Sequence, residues 1–354
     1  MKKNKLVVFG IHRPNRAPNE RYRWFQYERQ VHKHFDVMYY YLINERFDKI
    51  LFHSKNILLK FFVLILTFIK RTKQIVFLNK TDVILIYREL HWFHCPFWMW
   101  ILKFKAKKII FDFDDAIFLP SGKGIVNTLK QPYSKTIHFI KNSDGVIVGN
   151  EYLRQFALKY NSKVVLVPTT VDTNYFIPKE IKNKENKITI GWMGSHSTIP
   201  HLLSIVSVLK KIQQKYSHVE LKFIATKTFI SELNLFIEDW EKEQEVDILN
   251  SFDIGIMPLP DDDWSKGKCG LKMLTYLSCA VPCVASNVGV NAEIIEKTKG
   301  GFVVNSESDW IEKLSILIEN EELRKQLGKQ GREGVEKYYS VKVWQDIFVQ
   351  ILLN

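Results

Sequence analysis

The chain has 354 residues, more than one hydrophobic core usually supports, so its length favours two domains. Hydrophobic residues make up 46% of the chain and charged residues 25%, a balance typical of a globular protein. The cysteines form no spaced pattern, which excludes a disulfide framework and favours a reducing, cytoplasmic location. No CxxC pair or Cys and His cluster in the sequence indicates a metal site.

The net charge of +13 is concentrated in one half of the chain. Residues 1–165 contain 29 Lys and Arg against 12 Asp and Glu, whereas residues 166–354 contain 22 against 26. The basic half predicts an anionic partner, and a membrane surface, a nucleic acid and a phosphorylated substrate all remain open at this point. The first eleven residues carry a short apolar run after a basic tip, which predicts a strand and not a signal peptide.

Short apolar runs alternate with segments of helical spacing in both halves, as in doubly wound parallel sheets. We predict strands at 6–10, 36–42, 82–87, 109–113, 144–148, 163–167, 188–192, 220–225, 252–257, 281–286 and 300–304. Helices are predicted over 24–35, 151–160 (with Asn150 as N-cap), 231–240, 308–320 and 321–354, the last with small breaks at Gly328, Gly331 and Gly334. A proline-bounded connector at 168–178, followed by a charged run, marks the domain boundary.

Charged side chains follow two predicted strands of the first half. Arg88 and Glu89 follow the 82–87 strand, and Asp112, Asp114 and Asp115 end the 109–113 strand. The carboxyl ends of parallel strands border the ligand crevice of such sheets. An acid there would orient a sugar or take a proton from an acceptor hydroxyl, and the alternative is a helix cap.

The loop after the first strand contains four arginines, Arg13, Arg16, Arg21 and Arg23. Guanidinium groups at such a position hold phosphate or carboxylate in a bidentate manner, and the alternative is a solvated surface.

Two segments of the basic half are strongly apolar. Residues 57–69 (ILLKFFVLILTFI) are flanked by lysines but fall short of the ~20 residues that cross a bilayer. They predict a core helix or an interfacial helix with a basic rim. Residues 91–108 combine Trp and Phe with lysines, which suits a membrane–water interface. Stacking on single-stranded nucleic acid ranks lower, because no nucleic-acid motif accompanies these aromatic residues.

Residues 252–295 predict a strand, a lysine-bearing loop, a helix, a second strand and a glycine turn into another helix. Lys266, Lys268 and Lys272 lie in that loop and in the first helical turn, where free N–H groups and the helix dipole favour an anion. Gly194 and Ser195 form a second turn suited to phosphate after the 188–192 strand. The alternative is an ordinary βαβ connection with solvated lysines.

Four segments resemble the retaining glycosyltransferase family 4, the glycosyl transferases group 1. They are PTTVDTNYFIP at 168–178, GWMGSHST at 191–198, the segment 253–295, and YYSVKVWQDIFVQIL at 338–352. YREL at 87–90 and FDFDDAIF at 111–118 resemble a subgroup that acts in surface-polysaccharide assembly. Together these motifs extend over nearly the whole chain.

The resemblance implies an α/β protein of GT-B fold, with two Rossmann-like doubly wound parallel-sheet domains facing an interdomain cleft. The acceptor-side domain is expected at 1–168, the donor domain at 169–335, and a C-terminal helix at 336–354 that packs back toward the first domain. It implies retaining transfer of a hexose from a nucleoside-diphosphate sugar to a hydroxyl of a glycan or polyprenyl-linked acceptor, without a metal or other cofactor. The expected location is peripheral, on the anionic inner face of the cytoplasmic membrane, in cell-surface polysaccharide assembly and without a nucleic-acid partner.

The resemblance also implies site residues. Donor binding falls to Gly194, Ser195, Lys266, Lys268, Lys272 and Glu293, and the acceptor-side catalytic candidates are Arg88, Glu89, Asp114 and Asp115. Asp114 corresponds loosely to a histidine of the family. The family commonly has two glutamates, eight positions apart, that contact the donor sugar and the ribose, but Gly267 and Thr275 occupy these positions here. We therefore expect Asp261–Asp263 or Glu293 to replace them, or the activity to be low.

Two other functions fit the sequence less well. One is a sugar-nucleotide epimerase of GT-B fold, and the other is a non-enzymatic basic protein that binds a polyanion.

Overall fold

The structure, a computed structural model, describes residues 3–14, 16, 18–120, 131–179, 187–239 and 241–354. Most of the charged run after the 168–178 connector lies outside these residues. The chain divides into two compact units, one of residues 1–168 with 345–354 and one of residues 169–344.

The first unit is built on a six-stranded parallel sheet in the order β2-β1-β3-β4-β5-β6. Its strands are β1 Asn4–Phe9, β2 Phe35–Tyr40, β3 Thr81–Tyr87, β4 Ala106–Phe113, β5 Gly145–Val148 and β6 Val164–Leu166. The central strands are buried on both faces, as expected where helices cover a parallel sheet.

Helices of this unit connect successive strands. They are Pro18–Arg23, Phe25–Tyr27 (3₁₀), Glu28–His34, Glu45–Asp48, Lys49–His53 (π), Ile57–Val76, Pro96–Lys105, Pro132–Asn142 and Glu151–Leu158. The Asn150 side chain accepts a hydrogen bond from the Leu153 backbone N–H, which confirms it as the N-cap of the last helix. Within the described ranges, no helix combines the length and the apolar character needed to cross a membrane.

The second unit contains a seven-stranded sheet in the order β13-β12-β11-β7-β8-β10-β9, in which only the β9–β10 pair is antiparallel among the described strands. The strands are β7 Ile188–Met193, β8 Val219–Ala225, β9 Thr228–Ile230, β10 Leu235–Asp239, β11 Ile254–Met257, β12 Cys283–Ser286 and β13 Gly301–Val304. Both units are therefore α/β layers on parallel sheets, as predicted.

The helices of the second unit begin with His196–Thr198 (3₁₀), Ile199–Leu203 and Val206–Lys215, and continue with Ser231–Leu233 (3₁₀), Lys242–Gln244 (3₁₀), Glu245–Asn250, Asp263–Lys266, Leu271–Ser278, Asn291–Thr298, Glu307–Glu319 and Glu321–Tyr338. The final helix, Val341–Leu353, belongs to the second unit up to Trp344 and to the first unit from Gln345.

The predicted helix over 231–240 is wrong. Residues 228–239 form a hairpin, in which Asn234 takes a left-handed turn conformation with a φ of 48° and Phe236 pairs with Phe229 across the two strands. The rings of this pair lie 4.7 Å apart. Tertiary pairing with the edge of the sheet outweighs the local helical spacing here.

The predicted breaks at three glycines of the C-terminal region are also wrong, since the helix Glu321–Tyr338 runs through all of them. A Cβ atom at Gly328 would lie 2.0 Å from the Ala280 carbonyl oxygen, and one at Gly334 would lie 2.4 Å from the Thr298 Cα. The glycines allow close contact with neighbouring backbone and do not end the helix.

Candidate functional site

Lys272 is the centre of the predicted donor site in the second unit. It lies in the first turn of the helix Leu271–Ser278, and its Nζ donates a hydrogen bond of 3.1 Å to the Thr198 Oγ1. The same ammonium lies 4.5 Å from the ring centroid of the buried Trp192. The side chain is therefore fixed by a hydroxyl and by a cation–π contact, although neither neutralises its charge.

The turn after β7 supplies the Thr198 hydroxyl. Ser195 and Thr198 form a capping box, in which the Ser195 N–H donates to the Thr198 Oγ1 at 2.9 Å. A Cβ at Gly194 would lie 2.2 Å from the Trp192 ring, so only glycine fits there. The structure thus brings together Gly194, Ser195 and Lys272 as predicted donor residues.

Two further basic groups adjoin Lys272. Burial and the positive charge of Lys268 lower the pKa of Lys272 to about 7. Burial lowers the pKa of His201, and Lys272 and Lys268 lower it further. Basic groups that lower one another's pKa lie in a region of positive potential, and a bound anion would favour their charged forms.

Two helix N-termini converge beside these cations. A Cβ at Gly270, which begins the Leu271–Ser278 helix with a φ of 71°, would lie 2.3 Å from the Ile294 Cδ1 and 3.2 Å from the Val290 Cγ2. Val290 is the N-cap residue of the helix Asn291–Thr298. The dipoles of both helices therefore add to the positive charge of Lys268 and Lys272.

Lys266 differs from the other two lysines. Its ammonium lies 3.2 Å from Asp261 and 3.9 Å from Asp263, and its side chain is 41% exposed. Glu293 pairs with Lys297 at 2.6 Å on the exposed side of its own helix. Lys266 and Glu293, both predicted to bind the donor, therefore form ion pairs with nearby residues of opposite charge.

The positions where the family commonly has glutamates have structural roles here. The Thr275 hydroxyl is buried and donates to the Lys272 carbonyl oxygen at 2.7 Å. Gly267 ends the short helix Asp263–Lys266. Neither residue presents a carboxylate.

The aspartates expected to replace the two glutamates differ from one another in their surroundings. The Asp262 side chain caps the helix Asp263–Lys266 by accepting from the Ser265 N–H at 2.7 Å. Asp261 lines a cavity of about 330 Å³ at the carboxyl ends of β11, β12 and β13, together with residues that include Ser286, Asn287 and Asn305. Of the three acids, Asp261 lines this polar cavity.

In the first unit, Arg88 joins two neighbouring strand ends. It binds Asp114 through the Arg88 Nε at 2.8 Å and also binds Asp115, while the Tyr87 hydroxyl donates to Asp114 at 2.9 Å. Burial opposes the charge of Arg88, but the two carboxylates outweigh it and raise its pKa. The structure therefore brings Arg88, Asp114 and Asp115 together at the carboxyl edge of the sheet.

Two other predicted site residues, Glu89 and Arg23, form ion pairs within the first unit. Glu89 binds Lys135, whose ammonium also donates to the Trp92 carbonyl oxygen at 3.0 Å. Arg23 is fully buried and forms a bidentate pair with Asp112, in which its Nε donates to Oδ2 at 3.0 Å and its Nη2 donates to Oδ1 at 2.7 Å. Arg23 is therefore committed to a carboxylate of its own unit.

Sequence reasoning missed two residues near Arg88. Glu20 is buried, and burial raises its pKa to about 7, while its Oε1 accepts from the His12 N–H at 3.1 Å. Burial and the charge of Arg16 lower the pKa of His12 to about 4. His12 lies in the loop after β1, which faces the ligand crevice in sheets of this kind, so the position that makes the arginines candidates also makes His12 one.

Comparison with known families bears on the second unit. Residues 214–334 match the family model described as glycosyl transferases group 1, and this segment contains Lys266, Lys268, Lys272 and Glu293. The resemblance to the group 1 glycosyl transferases is confirmed. A curated relative, an uncharacterized glycosyltransferase of Methanocaldococcus jannaschii, is 37% identical over 71 residues, which are 20% of this chain and 20% of that protein. The match thus spans about a fifth of that relative's length.

Solved structures share the fold along nearly the whole chain. Sucrose-phosphate synthase of Thermosynechococcus elongatus superposes with a TM-score of 0.74 at 12% identity, covering 99% of this chain and 98% of that one. HepE of Anabaena, solved in complex with UDP and glucose, gives a TM-score of 0.67 at 11% identity and covers 99% of each chain. These similarities confirm the GT-B fold.

Proposed function

We propose that the protein is a retaining glycosyltransferase that moves a hexose from a nucleoside-diphosphate donor to an acceptor hydroxyl. The observation that carries the proposal is the position of Lys272, which lies in the first turn of the helix Leu271–Ser278, within the segment matched by the group 1 family, and whose ammonium contacts Thr198 and Trp192.

Lys272 and Lys268 would hold the diphosphate. Charge develops on the leaving phosphate as the glycosidic bond breaks, and fixed positive charges and helix dipoles stabilise it without a metal. HepE, a protein of the same fold, was solved with UDP and glucose, which supports UDP as the first probe. Lys266 contributes less in this proposal, because Asp261 already neutralises it.

The acceptor in this proposal is a hydroxyl of a glycan or of a polyprenyl-linked saccharide at the inner face of the cytoplasmic membrane. Asp114 and Asp115, held by Arg88, present carboxylate oxygens at a sheet edge, where they orient hydroxyl groups through hydrogen bonds. Glu20, with a pKa of about 7, is suited to accept a proton near neutral pH. We extend the proposal to a role for this activity in cell-surface polysaccharide assembly.

The experiment is UDP titration of the wild type and of Lys272→Met by calorimetry at pH 7. Methionine keeps the apolar stem over Trp192 and removes the charge, so we expect the Kd to rise by about 10–100-fold, the effect of losing one charged hydrogen bond. Lys329→Met is the matched control, because Lys329 is 80% exposed on the helix Glu321–Tyr338, and it should bind UDP like the wild type. Equal UDP affinity of Lys272→Met and wild type would contradict the assignment.

A further inference from the structure

Two neighbouring helices of the first unit expose an unusual amount of apolar surface. They are Ile57–Val76 and Pro96–Lys105. The side chains between 39% and 78% exposed there and at the following Phe77 define what we call the aromatic face: Ile57, Leu58, Leu59, Phe61, Phe62, Ile65, Ile69, Val76, Phe77, Phe97, Trp100 and Phe104. Contiguous exposed patches of this kind mark sites of interaction.

The buried side of the longer helix determines which of its faces is turned to solvent. Val63, Thr67, Arg71 and Ile75 recur every four residues and are buried. The Arg71 guanidinium donates to the Gly10 carbonyl oxygen at 2.6 Å and to the Leu90 carbonyl oxygen at 2.8 Å. Turning the apolar side inward would break these buried hydrogen bonds, so the exposure is built into the fold.

The two helices form one surface. Phe68 of the first packs against Trp98 of the second, with ring centroids 4.7 Å apart. On the outside of the second helix, Trp100 lies 5.1 Å from Phe97 and 4.8 Å from Phe104. These three rings form a continuous exposed row.

Positive charge surrounds the aromatic face. Residues 49–81 and 90–111 contain 11 Lys and Arg and not one Asp or Glu; of these, Arg71 is buried on the opposite side and Lys107 pairs with Asp82. Lys55, just before the longer helix, and Lys73, near its C-terminal end, are exposed; Lys60 in its first turns and Lys105 at the end of the second helix are half-buried. Aromatic and aliphatic groups bordered by lysine match an anionic lipid surface, where the rings enter the headgroup region and the ammonium groups contact phosphate.

One end of the aromatic face adjoins the end of the sheet that carries Arg88 and Asp114, and the other end, with Phe77 and Phe104, lies toward the opposite edge of the sheet. Each helix begins after a strand ends and runs back to the start of the next strand, so Ile57 and Pro96 lie toward the carboxyl edge. Ile57 and Leu58, at that end, are each 77% exposed. A bilayer against this face would therefore lie beside the predicted acceptor-side residues.

We propose that the aromatic face docks on an anionic phospholipid leaflet and so places the first unit at the surface where a lipid-linked acceptor resides. The location of the acceptor rests on the proposed glycosyltransferase function, but docking itself is measured without donor or acceptor. A failure of docking is thus distinguishable from a failure of UDP binding.

The test is flotation of the full chain with vesicles of phosphatidylcholine containing 30% phosphatidylglycerol, compared with pure phosphatidylcholine. We expect flotation with the anionic vesicles at low salt, weaker binding at 0.5 M NaCl, and at least a tenfold lower partition coefficient for the double variant Phe61→Gln/Trp100→Gln. The matched control is Phe229→Gln/Phe236→Gln, an exposed aromatic pair of the second unit, which should float like the wild type. Unchanged UDP affinity and circular dichroism verify that the variants are folded.

A second measurement locates the contact. Brominated lipid should quench tryptophan fluorescence in the wild type and less in Trp100→Phe, a variant that keeps an aromatic ring and should still float. The proposal is overturned if the wild type does not float with anionic vesicles, or if Phe61→Gln/Trp100→Gln floats as well as the wild type. Concentration-dependent dimerisation that depends on Phe61 and Trp100, without vesicle binding, would assign the aromatic face to a second copy of the chain instead.

Discussion

Lys272 has a pKa of about 7 before any ligand binds, because burial and Lys268 disfavour its charged form. A bound diphosphate favours the ammonium, so the pKa of Lys272 rises on binding and UDP is taken up together with a proton. For the fully ionised diphosphate, affinity then falls as the pH rises above the pKa of the empty site, by up to about tenfold per pH unit.

This prediction is checked by calorimetric titration of UDP from pH 7.5 to 8.5, where the phosphates of UDP are already ionised and its uracil ring is still neutral. Titrations in two buffers of different ionisation enthalpy give the number of protons taken up on binding. Lys272→Met should bind weakly, with a Kd that does not change over this range. A wild-type Kd that does not change between pH 7.5 and 8.5 would show that Lys272 does not titrate in contact with the diphosphate.

At the residue scale, the sequence predicts that side chains directly following neighbouring strands meet at the sheet edge. It does not predict which residues beyond the strand ends fold back to that edge. Arg88 and Asp114 follow neighbouring parallel strands in which Tyr87 pairs with Asp112, so their meeting is a consequence of strand order. Glu20 reaches the same edge through the loop after β1, which has no periodicity to place it. Its carboxylate bonds with the Tyr39 hydroxyl and the His12 N–H, and its local sequence indicates neither partner.

At the scale of the element, the glycines of the helix Glu321–Tyr338 give a prediction that opposes helix propensity. Alanine is favoured over glycine in helices by about 1 kcal/mol. A Cβ at Gly328, however, would lie 2.0 Å from the Ala280 carbonyl oxygen, a backbone atom. We expect Gly328→Ala to destabilise the protein by about 1–3 kcal/mol in urea unfolding, because the helix must move away from that turn.

Lys329→Ala, an exposed neighbour on the same helix, is the control and should change the unfolding free energy by no more than about 0.5 kcal/mol. A Gly328→Ala variant more stable than the wild type would mean that the contact with Ala280 is loose. Sequence alone suggested breaks at these glycines, since a glycine that ends a helix and one that packs against backbone are identical in sequence.

The 228–239 hairpin shows the same limit of sequence reasoning. Its strands are three and five residues long, too short for alternation to outweigh helical spacing. The deciding features are the left-handed φ of Asn234 and the parallel pairing of β10 with β8, and both depend on the rest of the sheet. Longer elements with caps, such as the helix that begins after Asn150, were placed correctly because their signals are local.

At the scale of the whole molecule, the α/β class follows from the alternation of strands and helices along the chain, whereas the unit that the last residues join depends on packing. The structure assigns residues 345–354 to the first unit. Phe348 is fully buried there, stacked on Tyr27 with centroids 4.6 Å apart and 6.3 Å from the Trp24 ring. The most distant segment in sequence thus completes the core around the first helices.

Phe348→Ala should therefore destabilise the first unit by about 3–5 kcal/mol, the usual effect of truncating a buried aromatic ring. Hydrogen exchange followed by mass spectrometry should show faster exchange in the helix Glu28–His34 and in β1, with no change in the helix Leu271–Ser278 of the second unit. Ile347→Ala, at a neighbouring position that is 43% exposed, should leave both regions protected. Exchange that accelerates equally in the two units, or in neither, would show that Phe348 does not stabilise the first unit specifically.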